Sequence, residues 1–247
     1  MGLTFVRFIT GSEEHATQQG AAEWVFIIEE AAQEELARNN EEAYWQHMEF
    51  LAAYVRKKAP WGEASHSRAP VHRAPEILAI LTVLGRREKT ACSGEQRWLN
   101  LRRTDLRGVT LPNANLQGLD LTSSHLEEAD LWGADLRGAL LPRAHLNGAF
   151  LASAHLEGAN LVGAHLEEAF LREVHLRGTL LTGTHLERAI LWAAHLEQAT
   201  LWGSHLDGAD LWGANLQGAN LAHATGLTTE QIAVALIDEE TRLPKGV

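Results

Sequence analysis

AHLEGANLVGAHLEEAFL, residues 154–171, carries leucine at every fifth position and histidine at every tenth. Outward from this stretch the leucine register runs unbroken from Leu101 to Leu221, which makes 25 units of five residues. Two residues before each leucine stands a small or modest residue, usually alanine, as at Ala129, Ala134, Ala144, Ala154 and Ala164; glycine is frequent two residues after it.

A period of five suits neither standard element. On an α-helix five residues advance about 500°, so the leucines would spiral around the surface. On a straight strand an odd spacing sends successive leucines to opposite faces. All can be buried only if the chain bends after each unit, always in the same sense. Four right-angle bends close a square coil. Strand alternation then turns the leucine and the residue two before it inward, and alanine suits the narrow interior. Glycine after the leucine eases the bend. With four units per coil, residues twenty apart stack at about 4.8 Å, and six coils make a rod about 30 Å long.

Each face then reads as a column. One presents Asp105, His125, His145, His165, His185 and His205; the opposite one presents Asn115, Asp135, His155, His175, His195 and Asn215. Imidazole is a common transition-metal ligand, and Glu127, Glu167, Glu187 and Asp207 flank the longer column. Side chains on a ladder nevertheless project in parallel, whereas a metal needs ligands converging on one point. The columns are therefore read as polar surface ladders, with no metal or cofactor assigned. A His-ladder metal-binding protein stands as an alternative.

A third face carries Asp130/Trp132, Phe150/Ala152, Phe170/Arg172, Ile190/Trp192 and Asp210/Trp212, and the fourth is mixed, with Leu140, Leu180 and Trp202. A contiguous apolar column on a surface marks a contact site. The expected protein-contact face is Trp132, Phe150, Phe170, Ile190, Trp192 and Trp212, covered either by the N-terminal helices folding back or by a second subunit. The first arrangement is preferred, because the helical segment has apolar groups of its own at Trp24, Ile27, Ile28 and Trp45 and is tethered.

The flanks are helical. A first helix starts at Ser12 and ends at Asn39–Asn40; a second spans Glu41–Lys58 with Trp45, Met48, Leu51, Ala52 and Val55 on one face. Residues 62–75 form a polar loop, and PEILAILTVLG is a third helix with Pro75 in its first turn and Gly85 as its stop. At the other end Thr228 and Gln231 fit a capping box that starts a helix whose inner face is Ile232, Ala235 and Leu236. The domains are thus 1–96, helical with a linker; 97–225, the repeat; and 226–247, a capping helix across the last coil.

With one cysteine, Cys92, the chain has no disulfide framework and no Cys-based zinc site. MGLTFVRFIT is apolar but too short to span a bilayer, and it lacks the small-residue cleavage site of a secretory signal, so a cytoplasmic location without membrane attachment is expected. The net charge of −11 disfavours nucleic acid as a partner. No nucleophile–base pair, phosphate loop or cofactor motif is present, and a Leu/Ala interior leaves no substrate cavity.

ADLWGADLRGALL and ADLWGANLQGANL resemble the A-(D/N)-L-x-x consensus of the pentapeptide-repeat proteins over residues 99–224. The resemblance implies a right-handed quadrilateral β-helix. GLTTEQIAVALIDEETRLP is similar to the helix that closes many bacterial members, and EEAYWQHMEFLAAYVRKKAPW with ILAILTVLGRR resembles the helical N-terminal region of one bacterial subgroup. The reading is a mainly β solenoid of about six coils, non-enzymatic, serving as a scaffold for protein–protein interaction, as a homodimer or with another protein. The family supplies a further alternative, a DNA mimic that binds DNA gyrase. Against it, residues 99–224 hold 14 Asp and Glu but also 8 Arg, which interrupt any acidic stripe.

Overall fold

A computed structural model describes Glu30, Glu34, Glu35 and residues 40–62, 75–86, 91–92, 95–96 and 98–247. The expected first helix, with Trp24, Ile27 and Ile28, falls almost wholly outside these residues, as does most of the 62–75 loop.

Helix α1 spans Glu41–Lys58. Asn40 is the N-cap of α1, its side-chain oxygen accepting from the Ala43 N–H at 3.3 Å, while its own N–H donates to the Glu35 carbonyl at 2.9 Å. Glu41 and Glu42 in the first turn and Arg56, Lys57 and Lys58 in the last complement the helix dipole. The buried face of α1, Tyr44, Trp45, Met48, Leu51, Ala52 and Val55, packs on helix α2, Pro75–Arg86, through Ile77, Ile80, Leu81 and Leu84. Each of the larger side chains contributes about 1.5–3 kcal/mol by leaving water. Trp45 is thus part of this helical core and is not available to cover a face of the repeat. After α2, strands β1 (Ala91–Cys92) and β2 (Glu95–Gln96) pair antiparallel within the stretch read as linker.

The repeat is a parallel ladder with a twenty-residue step. Strand β3 (Leu99–Asn100) pairs with β4 (Leu119–Asp120), and single bridges continue the step, from Asp105 to His125 to His145 on one face and from Asp130 to Phe150 to Phe170 on the next. Each unit closes a β-turn; the Ala129 N–H, for example, bonds the Leu126 carbonyl at 3.0 Å. The third turn residue sits in the left-handed region, φ 62° at Gly133 and 59° at Glu128. Glycine is favoured there, yet Arg103, Ser153 and Ala193 also adopt positive φ, so the inward leucine fixes the turn even without glycine. Leu101 through Leu221 and the residues two before them are buried. Where those residues are Thr or Ser, the hydroxyl donates to a leucine carbonyl: Thr179 to Leu156 at 2.7 Å, Ser124 to Leu101 at 2.7 Å. No buried hydroxyl of this kind is left unpaired among the described residues.

Both ends of the ladder are occupied. At the first coil the Asp105 N–H donates to the Ala59 carbonyl at 2.8 Å, the Trp61 N–H to Arg103 at 2.7 Å, and the Asn115 N–H to Gly85 at 2.6 Å. Gly85 is not the helix stop; it lies in the last turn of α2, where a Cβ would come within 2.9 Å of the Ala114 Cβ, so its bareness lets helix and coil touch. At the far end the helix is one short turn, α3 (Thr229–Ala233), opened by the Thr228/Gln231 capping box. Ile232 and Ala235 pack on the core, but Leu236 is exposed. The physical reason is that the chain leaves the helix and rejoins the ladder, where the backbone of Leu236 pairs with Asn215 and that of Arg242 with Asn220. The segment therefore ends the coil mainly as further strand-like backbone, with the Gln231 amide donating to the carbonyls of Leu206 and Ala209.

Candidate functional site: imidazole columns and an apolar face

The bridge residue of each unit points outward, so the twenty-residue step stacks like on like. In the longer column the imidazoles of His125, His145, His165, His185 and His205 lie 4.1–4.7 Å apart, 7–12° from parallel. In the shorter one His155, His175 and His195 lie 4.5 and 4.8 Å apart. Asp105, Asn115, Asp135 and Asn215 extend these columns, and Asp105 and Asp135 each hold an arginine two residues on, Arg107 and Arg137. Burial pushes the Asp135 carboxyl up, but the hydrogen bonds from Arg137 and Gln117 outweigh it and hold the group below the usual carboxylate range. The first column begins in the helical region: the Trp61 ring stacks on His125, which is only 6% exposed.

Glutamates two residues after the histidines turn back onto them. Nδ1 of His125 meets Glu127 at 2.7 Å, His165 meets Glu167 at 3.0 Å, and His155, His185 and His195 meet Glu157, Glu187 and Glu197 at 3.3–3.4 Å. The second carboxylate oxygen of Glu127, Glu157, Glu187 and Glu197 is buried without a hydrogen-bond partner. That of Glu167 accepts from Asn147. The imidazoles of His145 and His175 bond no carboxylate among the described residues; burial first, then repulsion from the stacked neighbours, lowers their pKa below the ordinary 6.5. His205 instead meets the Thr225 hydroxyl at 3.0 Å. Glu157 and Glu197 were not among the carboxylates singled out by sequence, although the His-Leu-Glu spacing is the same on both columns. Trp61 carried no sequence signal, because its partner is remote in the chain.

The apolar column stands in solvent. Trp132 and Trp212 are 51% and 63% exposed, Phe150, Phe170 and Trp192 are exposed too, and Ile190 is half-buried. Phe150 and Phe170 stack at 4.7 Å, 2° from parallel, and Trp192 meets Trp212 edge-on. Asp130 and Asp210 close the column at its two ends, each accepting from the backbone N–H of the tryptophan beyond it. Helices α1 and α2 stand at the coil end and do not cover this face. On the opposite face Leu180 and Trp202 are exposed and Leu140 is half-buried. An open groove of about 400 Å³ runs beside the shorter histidine column, lined by Ser153, Glu173, His175, Ala193, His195, Gly213, Asn215 and Leu236. No helix among the described residues is long and apolar enough to cross a membrane.

Comparison with known proteins bears on the ladder. The family model described as pentapeptide repeats matches in eight copies over residues 97–127, 120–158, 159–198 and 194–225, just over half of the chain. Among solved structures, a pentapeptide repeat protein from the Arabidopsis thaliana thylakoid lumen is 30% identical over 40% of this chain and 69% of its own, with a TM-score of 0.39. HetL, a pentapeptide repeat protein involved in heterocyst differentiation regulation in the cyanobacterium Nostoc, is 28% identical over 61% and 85%, with a TM-score of 0.31. QnrB1, a plasmid-mediated fluoroquinolone resistance protein, is 18% identical over 53% and 67%, with a TM-score of 0.44. No curated protein matches the sequence. With the register of 25 leucines and the matched repeats in agreement, the chain belongs to the pentapeptide-repeat family, whose fold is a right-handed β-helix.

Proposed function

We propose that the protein is a non-enzymatic scaffold whose apolar face, Trp132, Phe150, Phe170, Ile190, Trp192 and Trp212, binds another protein. The observation that carries this reading is the unbroken run of exposed aromatic groups on one side of a rigid rod. Each large side chain covered there would contribute about 1.5–3 kcal/mol. The ends of the column define the partner's chemistry. Asp130 and Asp210 lie four coils apart, about 19 Å at the strand spacing. In-register packing of two copies, parallel or antiparallel, sets aspartate against aspartate at both ends, which opposes a homodimer through this face. A partner with an apolar centre and basic groups at that separation fits it, and the net charge of −11 would speed its approach.

The gyrase-binding DNA mimic is the weaker reading. Arginines break up its acidic surface, pairing with five of the 14 carboxylates: Arg102 with Asp120, Arg107 with Asp105, Arg137 with Asp135, Arg172 with Glu173 and Arg188 with Glu168. A gyrase supercoiling assay separates the two readings, since the scaffold leaves supercoiling unchanged. The scaffold itself is tested by capturing binding proteins on the wild type and on Phe170→Glu/Trp192→Glu. A protein retained by the first and lost by the second supports the face; light scattering that shows a wild-type dimer broken by the same variant would replace the partner with a second copy.

A further inference from the structure

We propose that the triplets His125–Glu127–His145 and His155–Glu157–His175 each bind one divalent transition-metal cation of the zinc type. Strand register alone sets the imidazoles parallel, which gives a metal nothing to converge on. The glutamate alters this. It stands between two rungs, with one oxygen on Nδ1 of the lower imidazole. In each triplet one nitrogen of both imidazoles and one carboxylate oxygen lie within 4.8 Å of one another. Two imidazoles and a carboxylate with an open fourth position are a zinc-binding donor set. Ligands at about 2.0–2.2 Å from a tetrahedral ion lie closer together than this, so the partly exposed rings of His145, His155 and His175 must tilt toward the ion, while His125, buried under Trp61, keeps its place.

The triplets are also open to a cation in a way the third candidate, His165–Glu167–His185, is not. There the second oxygen of Glu167 takes a hydrogen bond from Asn147, and His185 is turned to Glu187. In the two proposed sites the second glutamate oxygen is buried and unpartnered, and the imidazoles of His145 and His175 have no hydrogen-bond partner among the described residues. Beside the triplets, Arg107 and Arg137 are held by Asp105 and Asp135, and Arg177 stands on the rung that follows Glu157. A buried carboxylate oxygen without a donor is costly unless something cationic satisfies it.

The test is calorimetric titration of the full chain, made without a histidine tag, with zinc chloride. About two ions per chain should bind at micromolar affinity or better. Glu127→Gln and Glu157→Gln should each remove about one of them, whereas Glu187→Gln, which breaks the same kind of His–Glu contact outside the triplets, should remove none. His145→Asn and His175→Asn give a second route that keeps the ladder, because asparagine occupies the equivalent rung at Asn115 and Asn215; circular dichroism checks their fold. Absence of saturable binding, or binding that survives Glu127→Gln with Glu157→Gln, would overturn the proposal.

Discussion

The indole of Trp61 lies on the imidazole of His125, ring centroids 3.3 Å apart and planes 17° from parallel, with the Arg107 guanidinium 5.0 Å from the indole centroid. Trp61 follows α1, so this stack joins the helical region to the first coil at the foot of a histidine column. Trp61→Ala should cost about 1–3 kcal/mol in urea unfolding and make residues 62–75 easier to cleave. Unchanged stability and cleavage would show that the backbone bonds of Ala59 and Gly85 hold the junction unaided.

How much of this could be read in the sequence differs between main chain and side chains. The coil, its four faces and the stacking of His145 on His165 follow from register, because every unit repeats the same inward pair. The fold-back of Glu157 onto His155 does not, since it depends on the direction a flexible side chain takes across the turn. The same limit explains Leu236. Its spacing from Ile232 fits a helix face, but the chain gains more by pairing backbone with Asn215 than by continuing α3, which exposes the side chain. Trp45 was legible as core, yet which surface it would bury could not be told from helical periodicity.

Closing the far end of the ladder is the task of residues 226–247. Their removal would strip the bridges of Leu236 and Arg242, the Gln231 bonds and the bond from the Gly218 N–H to Asp238 at 2.9 Å. An open core and an unpaired edge should follow. The truncated chain should aggregate or melt at least about 5 °C lower in a calorimetric scan; a monomer of unchanged melting temperature would contradict the capping role.

Gly85 permits a contact that a side chain would block. Gly85→Val should push α2 off Ala114, weaken the Asn115 bond to the Gly85 carbonyl, and destabilise the junction by about 1–3 kcal/mol in chemical denaturation. A valine variant as stable as the wild type would mean that helix and coil do not need this approach.

Acid should loosen the columns when metal is chelated. His145 faces His125, His165, Glu127 and Glu167; His175 faces His155, His195, Glu157 and Glu197. Burial, and then the neighbouring imidazoles, lower both pKa values in the folded chain, with the carboxylates opposing, while in the unfolded chain they return to about 6.5. Below about 6.5 the unfolded state therefore binds more protons. The stability these residues contribute is complete above that pH and is lost as pH falls through the folded values. In EDTA the urea midpoint should drop between pH 7.5 and 5.5, and less so in His145→Asn/His175→Asn. An equal drop in both proteins would assign the effect elsewhere.

The decisive measurement is the affinity of a purified captured partner for three proteins: the wild type, Phe170→Glu/Trp192→Glu on the aromatic face, and Leu180→Glu/Trp202→Glu on the opposite one. The scaffold account predicts a loss of at least about 100-fold for the first variant, as two buried anchors are removed, and little change for the second. Equal affinity for all three proteins, or a loss confined to the Leu180/Trp202 variant, would contradict it.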